Sequence, residues 1–278
     1  MQLDAITPIV LTYNEAPNIG RCLDRLRWAR EVVVVDSYST DETLALAANF
    51  PNVRVVQRAF DDFASQLQFG LESAGDATPW VLALDADYMV GEDFTSEVSQ
   101  LAEAPGILAY RVRFQYAAFG RVLRGGAYPP VTVLFRRDRC SYRNDGHAYR
   151  LAVDEAAVVE LRARFVHDDR KSLSRWLDSQ SKYLKQEIAK MTSTPRDRLS
   201  RADRLRMKLV IVPPGVFFYS LFIRGGILDG WAGWFYALSR LVAESLISLG
   251  LLEHWFKQQT GADRQTTQRP HDPPERRS

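Results

Sequence analysis

Two carboxylates one residue apart, Asp85 and Asp87, close the segment Trp80-Val81-Leu82-Ala83-Leu84-Asp85-Ala86-Asp87-Tyr88. Side chains at i and i+2 of an extended chain point the same way. The pair can therefore share one divalent cation, or one can hold a metal and the other a ribose hydroxyl. An Asp-rich turn capping the next helix would use the same residues. Two further acidic positions follow apolar runs: Glu15 after Ile6 to Leu11, and Asp36, with Asp41, after Val32-Val33-Val34-Val35. Carboxylates repel phosphate unless a metal intervenes, but they suit sugar hydroxyls and a base N–H. Asp36 and Asp41 would equally end a strand and cap a helix. Three acidic strand ends together favour a ligand over that plainer role.

The elements that must position these groups alternate. Ile6 to Leu11 reads as a strand, followed by a helix with Asn18 as N-cap and Ile19, Cys22, Leu23 and Leu26 on one face. A helix opening at Thr40 follows the valine strand. Val53 to Val56 makes a third strand, and Phe63 to Ala74 has helical spacing. This β-α-β-α-β-α-β order predicts a doubly wound parallel sheet with ligands at its strand ends. Gly-x-Gly-x-x-Gly after the first strand and a Gly-Lys phosphate loop are both missing, so dinucleotide and P-loop sites are not expected.

Composition sets bounds. The chain has 278 residues, 46% hydrophobic and 25% charged, as in ordinary globular proteins. Its 36 basic and 34 acidic residues nearly cancel and name no partner. Cys22 and Cys140 lie in unlike contexts, so a disulfide framework is not expected and a reducing, cytoplasmic compartment fits. Met1-Gln2-Leu3-Asp4 does not read as a secretory signal. No uncharged apolar run reaches the roughly 18 to 20 residues that span a bilayer. The longest, Leu209 to Ile223, contains Pro213-Pro214-Gly215.

Three motifs, Thr12-Tyr13-Asn14-Glu15, Val34-Val35-Asp36-Ser37-x-Ser39-Thr40-Asp41 and Leu84-Asp85-Ala86-Asp87, resemble in order and spacing the signatures of family 2 glycosyltransferases. The resemblance is closest to the bacterial branch that builds lipopolysaccharide cores and lipid-linked glycans. It implies a GT-A (nucleotide-diphospho-sugar transferase) α/β fold, a mostly parallel sheet flanked by helices, with a C-terminal helical membrane-associating extension. By the same resemblance Thr12, Tyr13, Glu15 and Asp36 would contact the base and ribose of a UDP- or GDP-sugar, with Asp41 among these substrate-binding residues. Asp85 would lie near the ribose or donor sugar, and Asp87 would bind Mg²⁺ or Mn²⁺ at the diphosphate. Tyr38 stands where many relatives have Gly, which narrows any nucleoside pocket.

Residues 107–167 read as mixed, antiparallel strands: Ile107 to Phe114, Thr132 to Arg136, Val158-Val159 and Arg164 to Val166. The Gly/Pro-rich loop from Gly120 to Pro130 carries Arg121 and Arg124, which can neutralise a donor diphosphate or remain solvated. Asn144-Asp145-Gly146-His147 offers an Asp or a His as base for the attacking hydroxyl. Many family relatives carry a His-Glu pair here where Ala148 follows His147, so the resemblance implies Asp145 as the base, with His147 orienting it or the acceptor. Asp-Gly is also an ordinary turn. His167 ends a further strand; in family 2 enzymes such a His can complete the metal site with Asp87, although it can also begin a helix cap.

From Arg162 to Lys208 there are 14 Lys/Arg against 6 Asp/Glu. Trp176, Tyr183, Leu184, Ile188 and Met191 space as helix faces. An apolar, Trp-rich stretch follows, including Arg224-Gly225-Gly226-Ile227-Leu228-Asp229-Gly230-Trp231-Ala232-Gly233. Basic then aromatic helices describe attachment to a membrane surface, peripheral or monotopic, or else packing on the catalytic domain. The expected division is 1–170 catalytic, 171–257 membrane-associating and 258–278 disordered. The reading is an inverting, metal-dependent glycosyltransferase at the cytoplasmic membrane face, acting on a lipid-linked glycan or polyprenyl phosphate. A nucleotidyltransferase lacks its Gly-rich basic loop here, an inactive scaffold would not need Asp85, Asp87 and His167, and no nucleic-acid motif is present.

Overall fold

A computed structural model describes residues 1–260 apart from 76–77, 103, 105, 125, 127–128, 140 and 146–147; of 141–145 and 148–150 it describes the backbone alone. The first half alternates as expected: β1 (Ile6–Thr12), α1 (Ile19–Asp24), β2 (Val32–Asp36), α2 (Thr43–Ala47), β3 (Val53–Gln57), α3 (Phe63–Ser73) and β4 (Trp80–Asp85). Two-residue β5 (Tyr88–Met89) and α4 (Glu92–Gln100) follow. Then come β6 (Ala109–Ala118), β7 (Arg121–Val122), β8 (Val131–Arg136), the hairpin β9 (Ser141–Asp145) and β10 (Ala148–Ala152), and β11 (Val158–His167).

Among the described residues the main sheet runs β3-β2-β1-β4-β8-β6-β11-β5, with β7 on β6. It is parallel from β3 to β4; β8 runs antiparallel to β4 and β6. Because the chain builds outward from β1 to β3 and then crosses to β4, the switch in strand order falls between β1 and β4. Open sheets bind ligands there, beyond the carboxyl ends of the strands. Period-two alternation divides the core into two faces. Ile9, Val33, Val35 and Ala83 pack on Leu67 and Leu71 of α3; Val10, Val34, Leu82 and Leu84 pack with Ile19, Leu23 and Phe94 from α1 and α4. Each Val, Leu, Ile or Phe among these, fully buried, contributes about 1.5–3 kcal/mol. Gly70 lets α3 approach: a Cβ there would lie 2.6 Å from Cγ2 of Ile9.

Four expectations change. The second helix begins at Thr43, not Thr40, because the Asp41 carboxylate accepts from the Thr43 N–H at 3.1 Å. Asn18 precedes α1, but its side chain makes no capping bond. Val158-Val159 and Arg164 to Val166 belong to one strand, β11, with an irregularity between Glu160 and Arg164, and it runs parallel to β6. Finally, among the described residues one helix, α8 (Trp231–Thr260), is long and apolar enough, by length and composition, to cross a membrane. Sequence inspection missed it because Arg240 and Glu244 interrupt the run, whereas on the helix they are one turn apart and pair at 2.7 Å.

The C-terminal part comprises α5 (Leu173–Ser193), α6 (Arg201–Arg206), α7 (Val212–Phe218) and α8 (Trp231–Thr260), with a wide π-helical turn at Tyr219–Ile223 and a tight 3₁₀ turn at Gly226–Asp229. Helix α8 thus passes residue 257; residues 261–278 of the expected disordered tail lie outside the described residues. Arg206 joins three helices. It bonds Glu244 of α8 at 3.0 Å through both Nε and Nη2, and Glu187 of α5 at 3.2 Å; both carboxylates are buried. Removing the guanidinium strands buried charge. Arg206→Leu is expected to destabilise the chain by about 3 kcal/mol, read as a lowered urea midpoint. An unchanged midpoint would show that the cluster does not fasten these helices.

Candidate active site

The parallel register places the motif ends side by side. Thr12 lies opposite Asp36, and Leu11 opposite Asp85. Beyond Asp85 the chain turns through Ala86-Asp87 into β5, and β5 pairs antiparallel with the end of β11, Tyr88 opposite His167. That pairing sets the His167 Nε2 atom 3.0 Å from Asp87 Oδ2. The backbone N–H of Asp168 adds a bond to the Asp87 carbonyl at 3.1 Å. Tyr88 and Tyr116 stand edge-on to the imidazole, with ring centroids 5.5 and 4.5 Å away.

Charge around this pair is strongly coupled. Burial opposes ionisation of Asp87, but the His167 imidazole and the Lys171 ammonium hold its carboxyl down at about 2. Burial likewise opposes charging of His167, and Asp87, Asp169 and Asp85 together raise it above its ordinary value. Asp85 is pushed up to about 6 by burial and by Asp87. Glu15 is pushed up to about 7 by burial, against the pull of Lys171, whose Nζ lies 2.5 Å from Oε1. Lys171 also reaches Asp169 at 3.4 Å, and Asp87 and Glu15 raise it despite burial. Two buried acceptors, Asp87 Oδ1 and Thr12 Oγ1, have no hydrogen-bond partner. Leaving such atoms dry costs about 1–3 kcal/mol each.

A divalent cation fits here. Asp87 presents one unpartnered oxygen, the His167 Nε2 lies 3.0 Å from its other oxygen, and anionic oxygens with imidazole suit Mn²⁺. Among the described residues no group of three or more His, Cys, Asp or Glu could hold a metal ion. With only these two ligands from the chain, a bound cation would keep positions for the oxygens of a substrate.

The nucleoside-type motifs are stitched into one surface. Asn14, at φ +54°, accepts from the backbone N–H groups of Thr40 (2.7 Å) and Asp41 (3.2 Å), and its own N–H donates to Ser39 Oγ at 2.7 Å. Asp36 is buried and accepts from the Ser39 backbone N–H at 2.9 Å, from Ser39 Oγ at 2.5 Å and from Gln57 Nε2 at 3.0 Å. Asp41 braces Thr43, Ala16 and Arg175. Both carboxylates hold the loop's shape. Tyr38 sits at φ +60°, a backbone that favours glycine, and its side chain is exposed. Tyr13 is exposed as well, with Lys182 Nζ 5.5 Å from its ring centre.

Several residues escaped the sequence reading. Asn18, fully buried, donates to Glu15 at 2.8 Å and Asp169 at 3.1 Å and accepts from the Arg170 N–H at 3.0 Å. Arg21 grips Asp168, and Arg175 donates to the Asn14 carbonyl. Tyr183 is raised to about 12 by burial, against the pull of Lys171, with Asp85, Asp87 and Asp169 adding to the rise. The available signal was the string His167-Asp168-Asp169-Arg170-Lys171, which the local basic excess disguised as membrane-facing charge. Arg170, Lys171, Arg175 and Lys182 instead meet the site, and Lys190 and Arg206 pair with buried Asp203, Glu187 and Glu244.

Asp145 ends β9, its backbone opposite Ala148, in a hairpin packed on α3; its side chain and the whole of His147 lie outside the described residues. Arg124 uses its backbone N–H to donate to Asp229 Oδ2 at 2.8 Å, and its side chain is exposed.

The sequence profile of glycosyl transferase family 2 matches residues 7–147. The lipopolysaccharide core biosynthesis glycosyltransferase LpsC of Rhizobium meliloti (strain 1021) is 26% identical over 267 residues, 93% of this chain and 96% of LpsC. Among solved structures, S. aureus TarS 1-349 in complex with UDP-GlcNAc is similar at TM-score 0.44 and 15% identity, covering 92% of each chain. Glucosyl-3-phosphoglycerate synthase from Mycobacterium tuberculosis with Mn²⁺ and UDP-glucose gives TM-score 0.46 and 18% identity, over 68% of this chain and 78% of that one.

The raised carboxyls set a pH dependence. A carboxyl whose pKa is higher folded than unfolded favours folding when protonated, so stability falls as pH rises from about 4 to about 7. Asp85→Asn removes one such group. At pH 7 the ligand-free variant is expected to be more stable than wild type by roughly 1–2 kcal/mol, after allowance for screening. Its melting temperature should also depend less on pH over that interval. Parallel pH curves for the two proteins would contradict the burial of a charged Asp85.

Proposed function

The chain belongs to glycosyl transferase family 2, and we propose that it moves a sugar from a UDP- or GDP-sugar, with inversion, onto a lipid-linked glycan of the lipopolysaccharide-core type or a polyprenyl phosphate. The observation that carries this reading is the Asp87–His167 pair, with its open carboxylate oxygen, at the β1/β4 switch point beside Lys171. Asp87 and His167 would hold Mg²⁺ or Mn²⁺. When bound, the cation supplies positive charge to the departing diphosphate. Lys171 adds a second positive charge on the same side. Thr12, Tyr13, Glu15 and Asp36 would hold the base and ribose, with Asp41 fixing the loop, and Asp85 would face the ribose or donor sugar. Asp145 would take the proton of the attacking acceptor hydroxyl, positioned with His147.

Two supports favour a lipid-linked acceptor at the cytoplasmic membrane face. The Rhizobium meliloti relative is named for lipopolysaccharide core biosynthesis. The C-terminal elements also expose a band of large apolar side chains, among them Val210, Ile211, Ile223 and Trp231. We assign residues 171–257 to this membrane-associating role, in addition to the bracing of the site by α5.

The first experiment is thermal stabilisation by UDP, GDP and their sugar conjugates, with and without Mn²⁺. Binding at 100 times Kd contributes about 2.7 kcal/mol to the native state. Wild type is expected to respond to one base with Mn²⁺ present. Asp87→Ala is expected to lose the Mn²⁺-dependent part of that response and at least 100-fold in turnover. A variant that keeps both would remove Asp87 from the metal site. For Asp145→Asn the expectation is retained nucleotide binding with a 100-fold or greater loss of turnover, the size of a general-base contribution. Near-normal rates would reassign the base.

A further inference from the structure

The motif Arg224-Gly225-Gly226-x-x-Asp229-Gly230-x-x-Gly233 is not used by the transfer chemistry, yet its geometry is tightly specified. Gly225 and Gly230 have φ +76° and +61°, and a Cβ on Gly233 would lie 1.9 Å from the Gly226 carbonyl oxygen. The buried Asp229 ends this turn. Its carboxylate accepts from the Arg124 N–H, and its carbonyl accepts from the Arg121 guanidinium at 3.3 Å. Arg224 in turn donates to the Gly126 carbonyl at 2.9 Å. Three exposed arginines from two distant stretches are thereby gathered at one place. The only acidic residue in 117–130 and 219–238 is Asp229, and it is consumed by the clamp.

Beside the arginines lies an apolar shelf. Phe119, Ile223, Leu228 and Trp231 are 76%, 75%, 69% and 87% exposed. Phe119 sits against Phe235, with ring centroids 4.8 Å apart. From the same helix Tyr236 packs tilted against Tyr116 at 5.0 Å, and Tyr116 stands edge-on to His167 at 4.5 Å. Three aromatic contacts, the first two joined through neighbouring residues of α8, thus connect Phe119 to His167.

We propose that Arg121, Arg124 and Arg224 form a binding site for the phosphate headgroup of a membrane lipid, the hydrocarbon of which lies along the Phe119–Trp231 shelf. Cations adjoining bare apolar surface complement an amphiphile with an anionic head, and neither half alone would require the other. The occupant is a prenyl-type phosphomonoester lipid, the class that carries glycan acceptors in a membrane. The inference rests on the lipid-linked acceptor reading and gives it a location. It also moves Arg124 from the donor to the acceptor side.

The test uses the full chain and sedimentation with phosphatidylcholine vesicles, with or without a long-chain prenyl phosphate. Wild type is expected to bind the prenyl phosphate vesicles more tightly. Arg124→Glu, which keeps the backbone bond to Asp229, should lose that gain, with binding weakened tenfold or more. Trp231→Glu should weaken binding to both kinds of vesicle. Both variants should retain the nucleotide-induced thermal shift of wild type. Equal binding by wild type and Arg124→Glu, or no preference of wild type for prenyl phosphate, would overturn the proposal. So would a Trp231-dependent dimer in solution without vesicle binding. If no nucleotide stabilises wild type, the sugar-transfer reading fails, whereas the vesicle comparison still decides the headgroup site.

Discussion

Two residues of antiparallel pairing, Tyr88-Met89 against Val166-His167, govern the ligand edge of this sheet. Without that short ladder, Asp87 would end a turn and His167 would end an edge strand. With it, two groups separated by 80 positions approach to 3.0 Å and share one charge environment. The ladder is held in turn by β11 lying along β6 and by Phe94, Phe114 and Phe165 packed edge to face beneath it. Apolar packing on one side of β11 thus fixes the geometry of polar chemistry at its tip. Rigid strands hold such a pair more accurately than loops can.

The second constraint is charge. Glu15, Asp85, Asp87 and Asp169 crowd a small volume, and a sheet edge with so many carboxylates would repel itself in the absence of cations. The segment after His167 answers this from within the chain. Lys171 stands among the carboxylates, Arg21 and Arg170 neutralise Asp168, and Arg175 ties the start of α5 to Asn14 and Asp41. Helix α5 is consequently part of the site as well as of the C-terminal region, and a boundary drawn at residue 170 cuts through one hydrogen-bonded network.

Much of this was legible in the sequence, for physical reasons. Continuous valine runs and period-two burial announce parallel strands, and motif spacing identifies Asp85, Asp87 and His167 as neighbours once the family fold is assumed. The less legible parts depend on contacts between distant segments. Nothing local distinguishes Lys171, which enters the site, from Lys185, which remains exposed on the same basic stretch. The helix start at Thr43 was misplaced because the Asp41 carboxylate competes with the helix for backbone donors. The parallel direction of β11 depends on β6, some fifty residues earlier, and propensity carries no direction. The continuity of α8 was hidden by two charges that cancel only after the helix has formed.

The late arrival of β11 has a consequence in time. Strand β5 has one partner among the described strands, and that partner is synthesised more than seventy residues after it. A chain growing on the ribosome can close β1 to β4 from local alternation, but Asp87 then waits with its counter-charges, His167 and Lys171, still unmade. Non-local closure of this kind is slow and leaves strand edges exposed meanwhile. The nascent protein therefore acquires the charge balance around Asp87 late. The transition comes when β11 docks and the first turns of α5 fold over the carboxylates.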